Sequence, residues 1–112
     1  MGRARQFRVV LVTCGSLAEG RKIAKRVVEK KLAACVNISS SAVESIYRWK
    51  SRIERGREYL LIMKTTAKRL KELEREVKRL HSYETPEFVV LTISGGSTDY
   101  LNWLAEIENK ET

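Results

Sequence analysis

The patterning predicts an α+β fold in which two helices cover one face of a four-stranded antiparallel sheet. Three observations carry that prediction. Short β-branched apolar runs alternate with two stretches whose apolar residues step by three and four. The single proline, Pro86, falls between the second helical stretch and the last apolar run, where it must break the chain. The segments follow the order β-α-β-β-α-β, with one more helix after them, which is the order of a split βαβ layer.

The first segment, Phe7–Cys14, reads Phe-Arg-Val-Val-Leu-Val-Thr-Cys, a strand expected to be buried on both faces. Gly15 ends it. Ser16 and Glu19 have capping-box spacing, with Ser16 as N-cap and Glu19 reaching back to it. The helix they open is expected to run to about residue 32, with Ile23, Ala24, Val27, Val28 and Leu32 as its apolar stripe. Lys30 and Lys31 occupy its last turn, where the helix dipole favours cations. A second strand begins over 34–38, loosens at Ser39-Ser40-Ser41 and resumes over 43–49, placing Val43, Ser45, Tyr47 and Trp49 on one face. Residues 50–57 read as turns into a third strand over 58–65. Thr65 or Thr66 is the expected cap of a second helix, whose stripe is Leu70, Leu73, Val77 and Leu80 and whose end is His81. A fourth strand covers 87–93. Gly95-Gly96 stops it, and Ser97 or Thr98 caps a last helix reaching about residue 108. The whole is one ferredoxin-like domain of 112 residues, an architecture that hosts many functions and decides none alone.

Composition excludes several classes. No apolar run is long enough to cross a bilayer, and residues 7–12 are too short for a signal segment, so the expectation is a soluble, intracellular protein without a membrane partner. Cys14 and Cys35 make no disulfide framework and read as reduced, buried thiols. A net charge of +8 and a pI near 9.8 invite a nucleic-acid reading. The basic residues are scattered, however. Arg3, Arg5 and Arg8 open the chain, while Lys68, Arg69, Lys71, Arg75, Lys78 and Arg79 alternate with Glu72, Glu74 and Glu76, as on a solvated helix face. An RNA-binding third strand needs glycine and two stacking rings; this one reads Arg57-Glu58-Tyr59-Leu60-Leu61-Ile62-Met63 and has neither the glycine nor the second ring. Nucleophile-elbow, phosphate-loop and dinucleotide motifs are absent from the sequence, so no enzyme activity is expected.

Chemistry concentrates in His81-Ser82-Tyr83-Glu84-Thr85-Pro86-Glu87, which holds the only histidine and the only proline. His81 and Glu84, with Cys35 or Cys14 elsewhere, are ligand types that copper or zinc accept, although the paired Cys or His of a tight zinc site is missing. The other reading of His81 is a helix terminator bonding a nearby carbonyl. Tyr47, Trp49 and Trp103 read as core or interface aromatics more than as a ligand cage. Glu58 and Lys64 share a strand face ~20 Å apart, so each needs a partner outside its own strand.

Five segments taken together resemble the CutA family. They are Val28-Glu29-Lys30-Lys31-Leu32-Ala33-Ala34-Cys35-Val36-Asn37; Ile46-Tyr47-Arg48-Trp49-Lys50; Glu58 with Met63-Lys64-Thr65; His81-x-Tyr83-Glu84-x-Pro86-Glu87; and Asp99-Tyr100-Leu101-x-Trp103-Leu104. The resemblance covers residues from about 7 to about 107. It implies a tight homotrimer similar to that of the PII signalling proteins, joined through long hairpins and edge strands. It also implies a cytoplasmic role in divalent-cation tolerance, with copper the metal most often proposed. By the same resemblance Cys35, Tyr47, Trp49, Glu58, Lys64, His81, Tyr83, Glu84 and Trp103 gather around clefts between subunits, with His81, Glu84 and Cys35 as metal ligands. Ser82 stands where the family usually has proline, Ser51 where it usually has glycine, and Leu80 precedes His81 where some relatives carry a second histidine. The expectation is a non-enzymatic trimer that binds divalent cations, copper in particular. The alternative is a PII-like sensor in which Lys64 and neighbouring basic residues hold an anionic small molecule.

Overall fold

The computed structural model describes residues 6–109; Arg3 and Arg5, counted among the basic residues, lie outside them. The chain runs β1 (Phe7–Cys14), α1 (Leu17–Glu29), β2 (Cys35–Ile38), β3 (Val43–Trp49), β4 (Arg52–Thr66), α2 (Leu70–Leu80), β5 (Val89–Thr92) and α3 (Thr98–Leu104). All strand pairs are antiparallel, in the order β2-β4-β1-β5, with β3 also paired to β4. The ferredoxin-like layer follows from alternation. Val10, Val12 and Cys14 of β1 and Leu61 and Met63 of β4 are buried against Ile23 and Val27 of α1 and Leu73 and Val77 of α2. On the opposite face Phe7 packs with Leu101 and Leu104 of α3, which covers one end of the sheet.

Four local expectations need correction. Helix α1 stops at Glu29, three residues early. Lys31 takes a left-handed φ of 59°, Leu32 N–H donates to Val27 O (2.8 Å) and Lys31 N–H to Val28 O (3.0 Å), the closing bonds of a Schellman turn. Val28 is consequently on the exposed side, while Leu32 still reaches the core. Only half of the capping box forms. Ser16 Oγ accepts from Glu19 N–H at 3.1 Å, but the Glu19 carboxylate turns away to accept from Ser82 N–H, two residues past the end of α2. Neither threonine side chain caps α2. Thr65 is buried and donates to Leu32 O (2.7 Å), and Thr66 bonds Glu108, so a single 3-10 turn over Ala67–Arg69 leads into the helix instead.

The largest difference lies at residues 50–57, expected to be turns. Strand β4 begins at Arg52 and is 15 residues long, so the connection is only Lys50-Ser51. Both have left-handed φ, 51° and 70°, the pattern of a two-residue type I′ hairpin. Ser51 carries a Cβ where such a turn favours glycine, so Ser51→Gly is expected to raise stability by about 0.5 kcal/mol. Thermal unfolding checks this; a lowered Tm would show that the hydroxyl contributes more than the backbone relief.

Strand β1 pairs with β4 only over residues 59–66, whereas β3 pairs with it over 52–58. The β3–β4 ribbon therefore projects about 20 Å beyond the sheet. The join is stitched by Ser39, whose N–H donates to Leu60 O (2.9 Å) and whose Oγ accepts from Leu60 N–H (2.8 Å). Register puts Ile46 and Ile53 on one ribbon face, 61% and 60% exposed, and Tyr47 and Trp49 on the other, 47% and 41% exposed. Val89, Val90 and Leu91 of edge strand β5 are also open. An isolated two-stranded ribbon is marginal in water, and this one has apolar side chains on both faces.

Candidate functional site

The segment from His81 to Glu87 is fastened at its start by the imidazole. Helix α2 ends because His81 turns to extended geometry, with its N–H still bonded to Val77 O at 2.9 Å. Its ring is buried under β1. Nε2 lies 2.7 Å from Thr13 O, and a carbonyl oxygen only accepts, so the proton sits on Nε2. Nδ1 then accepts from Tyr83 N–H at 3.1 Å. Both ring nitrogens are occupied within one chain.

Tyr83 carries the connection onward to β4. Its ring tilts against His81 with centroids 4.6 Å apart, and its hydroxyl donates to Glu58 Oε2 at 2.7 Å. Burial first, then the bond to Glu58 and its charge, push the phenol above its ordinary range. Gly15 makes this fit possible: a Cβ there would meet the Tyr83 hydroxyl at 3.2 Å.

An open cleft of about 810 Å³ lies between this segment and the ribbon. Glu54, Glu58, Glu84 and Glu87 line it with Tyr47 and Trp49, and among the described residues no lysine or arginine does. In a chain of net charge +8 this is a local inversion of sign. The Glu87 carboxyl is raised, first by burial and then by Glu58, so its ionised form lacks a counter-charge. A cation would supply that charge, whereas an anion would meet four carboxylates. The Cys14 thiol nearby is pushed up to about 12, first by burial and then by Glu19 and Glu58, so by itself it stays protonated and is no nucleophile at neutral pH.

Five of the residues singled out in the sequence, Tyr47, Trp49, Glu58, Tyr83 and Glu84, thus line one cleft, with His81 fastening the segment behind it. Cys35, Lys64 and Trp103 lie elsewhere. Cys35 pairs with Lys64 across β2 and β4, while the acceptor of His81, Thr13, pairs with Leu60. Four strand residues separate those positions, ~13 Å. One chain therefore does not by itself bring Cys35 to His81 and Glu84; the expected gathering of these three residues is at clefts between subunits, where a second chain takes part. Cys35 is half-buried, unlike Cys14, with its sulfur 3.8 Å from the Tyr100 hydroxyl; Tyr100 in turn packs on Trp103 with ring centroids 5.4 Å apart. Lys64 donates to the Asn37 side chain, which answers the search for its partner and leaves it outside the cleft. Among the described residues, no three His, Cys, Asp or Glu side chains are grouped so as to hold a metal ion within one chain. The described donors of one chain therefore do not by themselves make a closed shell for a cation. One lining carboxylate escaped the sequence reading, Glu54, hidden inside a stretch read as turns; Glu87 closes the chemistry-bearing stretch that starts at His81 but was not named there as a site residue.

A family model described as CutA1 divalent ion tolerance protein matches residues 8–107. The divalent-cation tolerance protein CutA of Thermus thermophilus is 47% identical over 98 residues, covering 88% of this chain and 94% of the relative. Protein CutA of Arabidopsis thaliana, described as chloroplastic, is 44% identical over 86% of this chain, which spans 52% of its length. A solved structure described as the periplasmic divalent cation tolerance protein CutA of Archaeoglobus fulgidus superposes with a TM-score of 0.86 at 40% identity, covering 90% of this chain and 97% of that one.

Proposed function

The chain belongs to the CutA divalent ion tolerance family, and on that premise we propose that it serves cation tolerance as a non-enzymatic homotrimer that takes divalent cations into clefts closed between subunits. The observation that carries this reading is the pocket of four glutamates beside an uncovered apolar ribbon. A neighbouring copy seated on the ribbon would lower exposure of Ile46, Tyr47, Trp49 and Ile53 and bring further donors to the carboxylates. Copper is the preferred cargo because oxygen and nitrogen donor sets bind Cu(II) most tightly among the divalent first-row ions. Glu84 supplies oxygen. His81 enters the coordination shell only by giving up its bond from Tyr83 N–H; otherwise it shapes the segment. Residence in the cytoplasm is part of the proposal, supported by two unbridged thiols, and cell fractionation checks it against the periplasmic description of the Archaeoglobus relative.

Calorimetric titration of the full chain with Cu(II) at neutral pH tests the reading. Saturable uptake at a whole number of sites per assembly is expected, weakened at least about 10-fold by Glu84→Gln. Weak uptake without stoichiometry, unchanged in that variant, would sink it. His81→Ala is a less clean probe, because it also removes two structural hydrogen bonds.

A further inference from the structure

We propose that Glu19, which does not line the cleft, is the positioning residue that holds the cleft's irregular wall in place; this deepens the cation reading and rests on it. The wall, residues 82–87, follows the end of α2 and has no regular secondary structure up to β5. It supplies Tyr83, Glu84, Thr85 and Glu87 to the cleft. Such a segment keeps its side chains in register only if its backbone is fastened.

Glu19 fastens it with both carboxylate oxygens. Ser82 N–H donates to Oε2 at 2.6 Å, and Ser82 Oγ–H donates to Oε1 at 3.0 Å. The side chain of Glu19 is itself largely buried, and Oε2 lies 3.6 Å from His81 Nδ1. Hydrogen bonds to an ionised acceptor are about twice as strong as neutral ones, and two from one residue fix direction as well as distance. The attachment continues through adjacent residues. His81 is tied to Thr13 O on β1, Tyr83 N–H to His81 Nδ1, and the Tyr83 hydroxyl to Glu58 on β4. Three successive residues are thereby bonded to α1, β1 and β4, and Glu84 is the next one along.

The first turn of α1 is a rigid mount for this contact. Ser16 caps the helix through Glu19 N–H, so the backbone of Glu19 is held while its side chain is released for Ser82. The consequence is a division of labour within one residue pair: backbone to the helix cap, carboxylate to the cleft wall. Ser82 must keep its N–H for this to work. Ser82→Pro removes the donor, and Ser82→Ala removes only the hydroxyl bond.

The test compares Glu19→Ala, Glu19→Gln and Ser82→Ala with the wild-type full chain, reading Cu(II) affinity by calorimetry and amide hydrogen exchange at Ser82 and Tyr83. Glu19→Ala is expected to lose about 10-fold or more in Cu(II) affinity, the usual cost of removing a residue that orients a ligand, with faster exchange at both amides. Glu19→Gln keeps an acceptor for Ser82 N–H and should rescue most of the affinity and protection, which separates positioning from charge and from simple loss of folding. Ser82→Ala should fall between. Wild-type Cu(II) affinity in Glu19→Ala, with exchange accelerated, overturns the positioning role. Should the wild-type chain take up no Cu(II), the cation reading fails by itself and exchange decides the clamp: unchanged protection of Ser82 and Tyr83 in Glu19→Ala overturns it, lost protection supports it.

Discussion

Glu76→Ala is expected to lower the stability of the fold by about 2–3 kcal/mol, the largest loss predicted for any single polar side chain outside the cleft. Glu76 lies on α2 and is only 6% exposed, an unusual place for a carboxylate. It is held there by three cations. Arg79 donates from Nη2 to Oε2 (2.7 Å) and from Nε to Oε1 (3.2 Å), Arg26 of α1 lies 3.4 Å from Oε2, and Lys30 lies 3.4 Å from Oε1. The carboxylate is thus the polar joint between the two helices. Removing it leaves three positive charges facing each other with no counter-ion. The cost stays below that of breaking a fully buried pair because the cations themselves are about half exposed and water screens them.

The same joint sets a pH dependence. The hydrogen bond from Arg79, more than any other cause, holds the Glu76 carboxyl down to about 2 from the ordinary 4.5. A carboxyl lowered by folding adds stability that is fully present above the unfolded value and is lost as pH falls from there through the folded one. Urea unfolding followed from pH 6 to pH 2 should therefore show a loss of stability below about 4.5 that Glu76→Gln removes. A variant as acid-sensitive as the wild type would assign that loss to other carboxylates.

The fold was legible because its elements obey local periodicity. The stripe Leu70, Leu73, Val77, Leu80 does place Leu73 and Val77 in the core, and Ser97 does cap the last helix, its Oγ accepting from Tyr100 N–H at 3.2 Å. What escaped had no buried face to print a pattern. Residues 52–57 read Arg-Ile-Glu-Arg-Gly-Arg, charged on both sides, because that half of β4 lies beyond the sheet and its strand geometry comes from β3 alone. Glu19 misled for a different reason. Its spacing from Ser16 satisfies a local rule, and a tertiary acceptor role 63 residues along the chain outcompetes it. The candidate site divides in the same way. Residues near His81 were visible as a cluster in sequence, whereas Glu54 reaches the cleft only through its register opposite Tyr47, which depends on the two-residue turn at Lys50-Ser51.

The second large effect concerns assembly. Ile46→Asp combined with Ile53→Asp is expected to reduce the proposed trimer to single chains, read as a threefold drop in mass by sedimentation, and to abolish stoichiometric Cu(II) uptake with it. The two isoleucines share one face of the projecting ribbon and are its most exposed apolar side chains. Burying an aliphatic side chain of that size contributes about 1.5–3 kcal/mol, and burying an unpaired carboxylate in its place costs several more. Repeated at each contact of a closed ring, that penalty exceeds what most interfaces can absorb. The exchange should leave the individual chain folded, because neither residue touches the core of Val10, Leu61, Ile23 and Leu73. Circular dichroism of the variant would verify that. Ile46 also lines the cleft, so Ile53→Asp alone, which leaves every lining residue in place, is the control: loss of Cu(II) uptake together with mass in that variant would tie the cleft to the assembly. Unchanged mass would mean that the ribbon is not the contact. Reduced mass with full Cu(II) uptake would mean that one chain's carboxylates suffice.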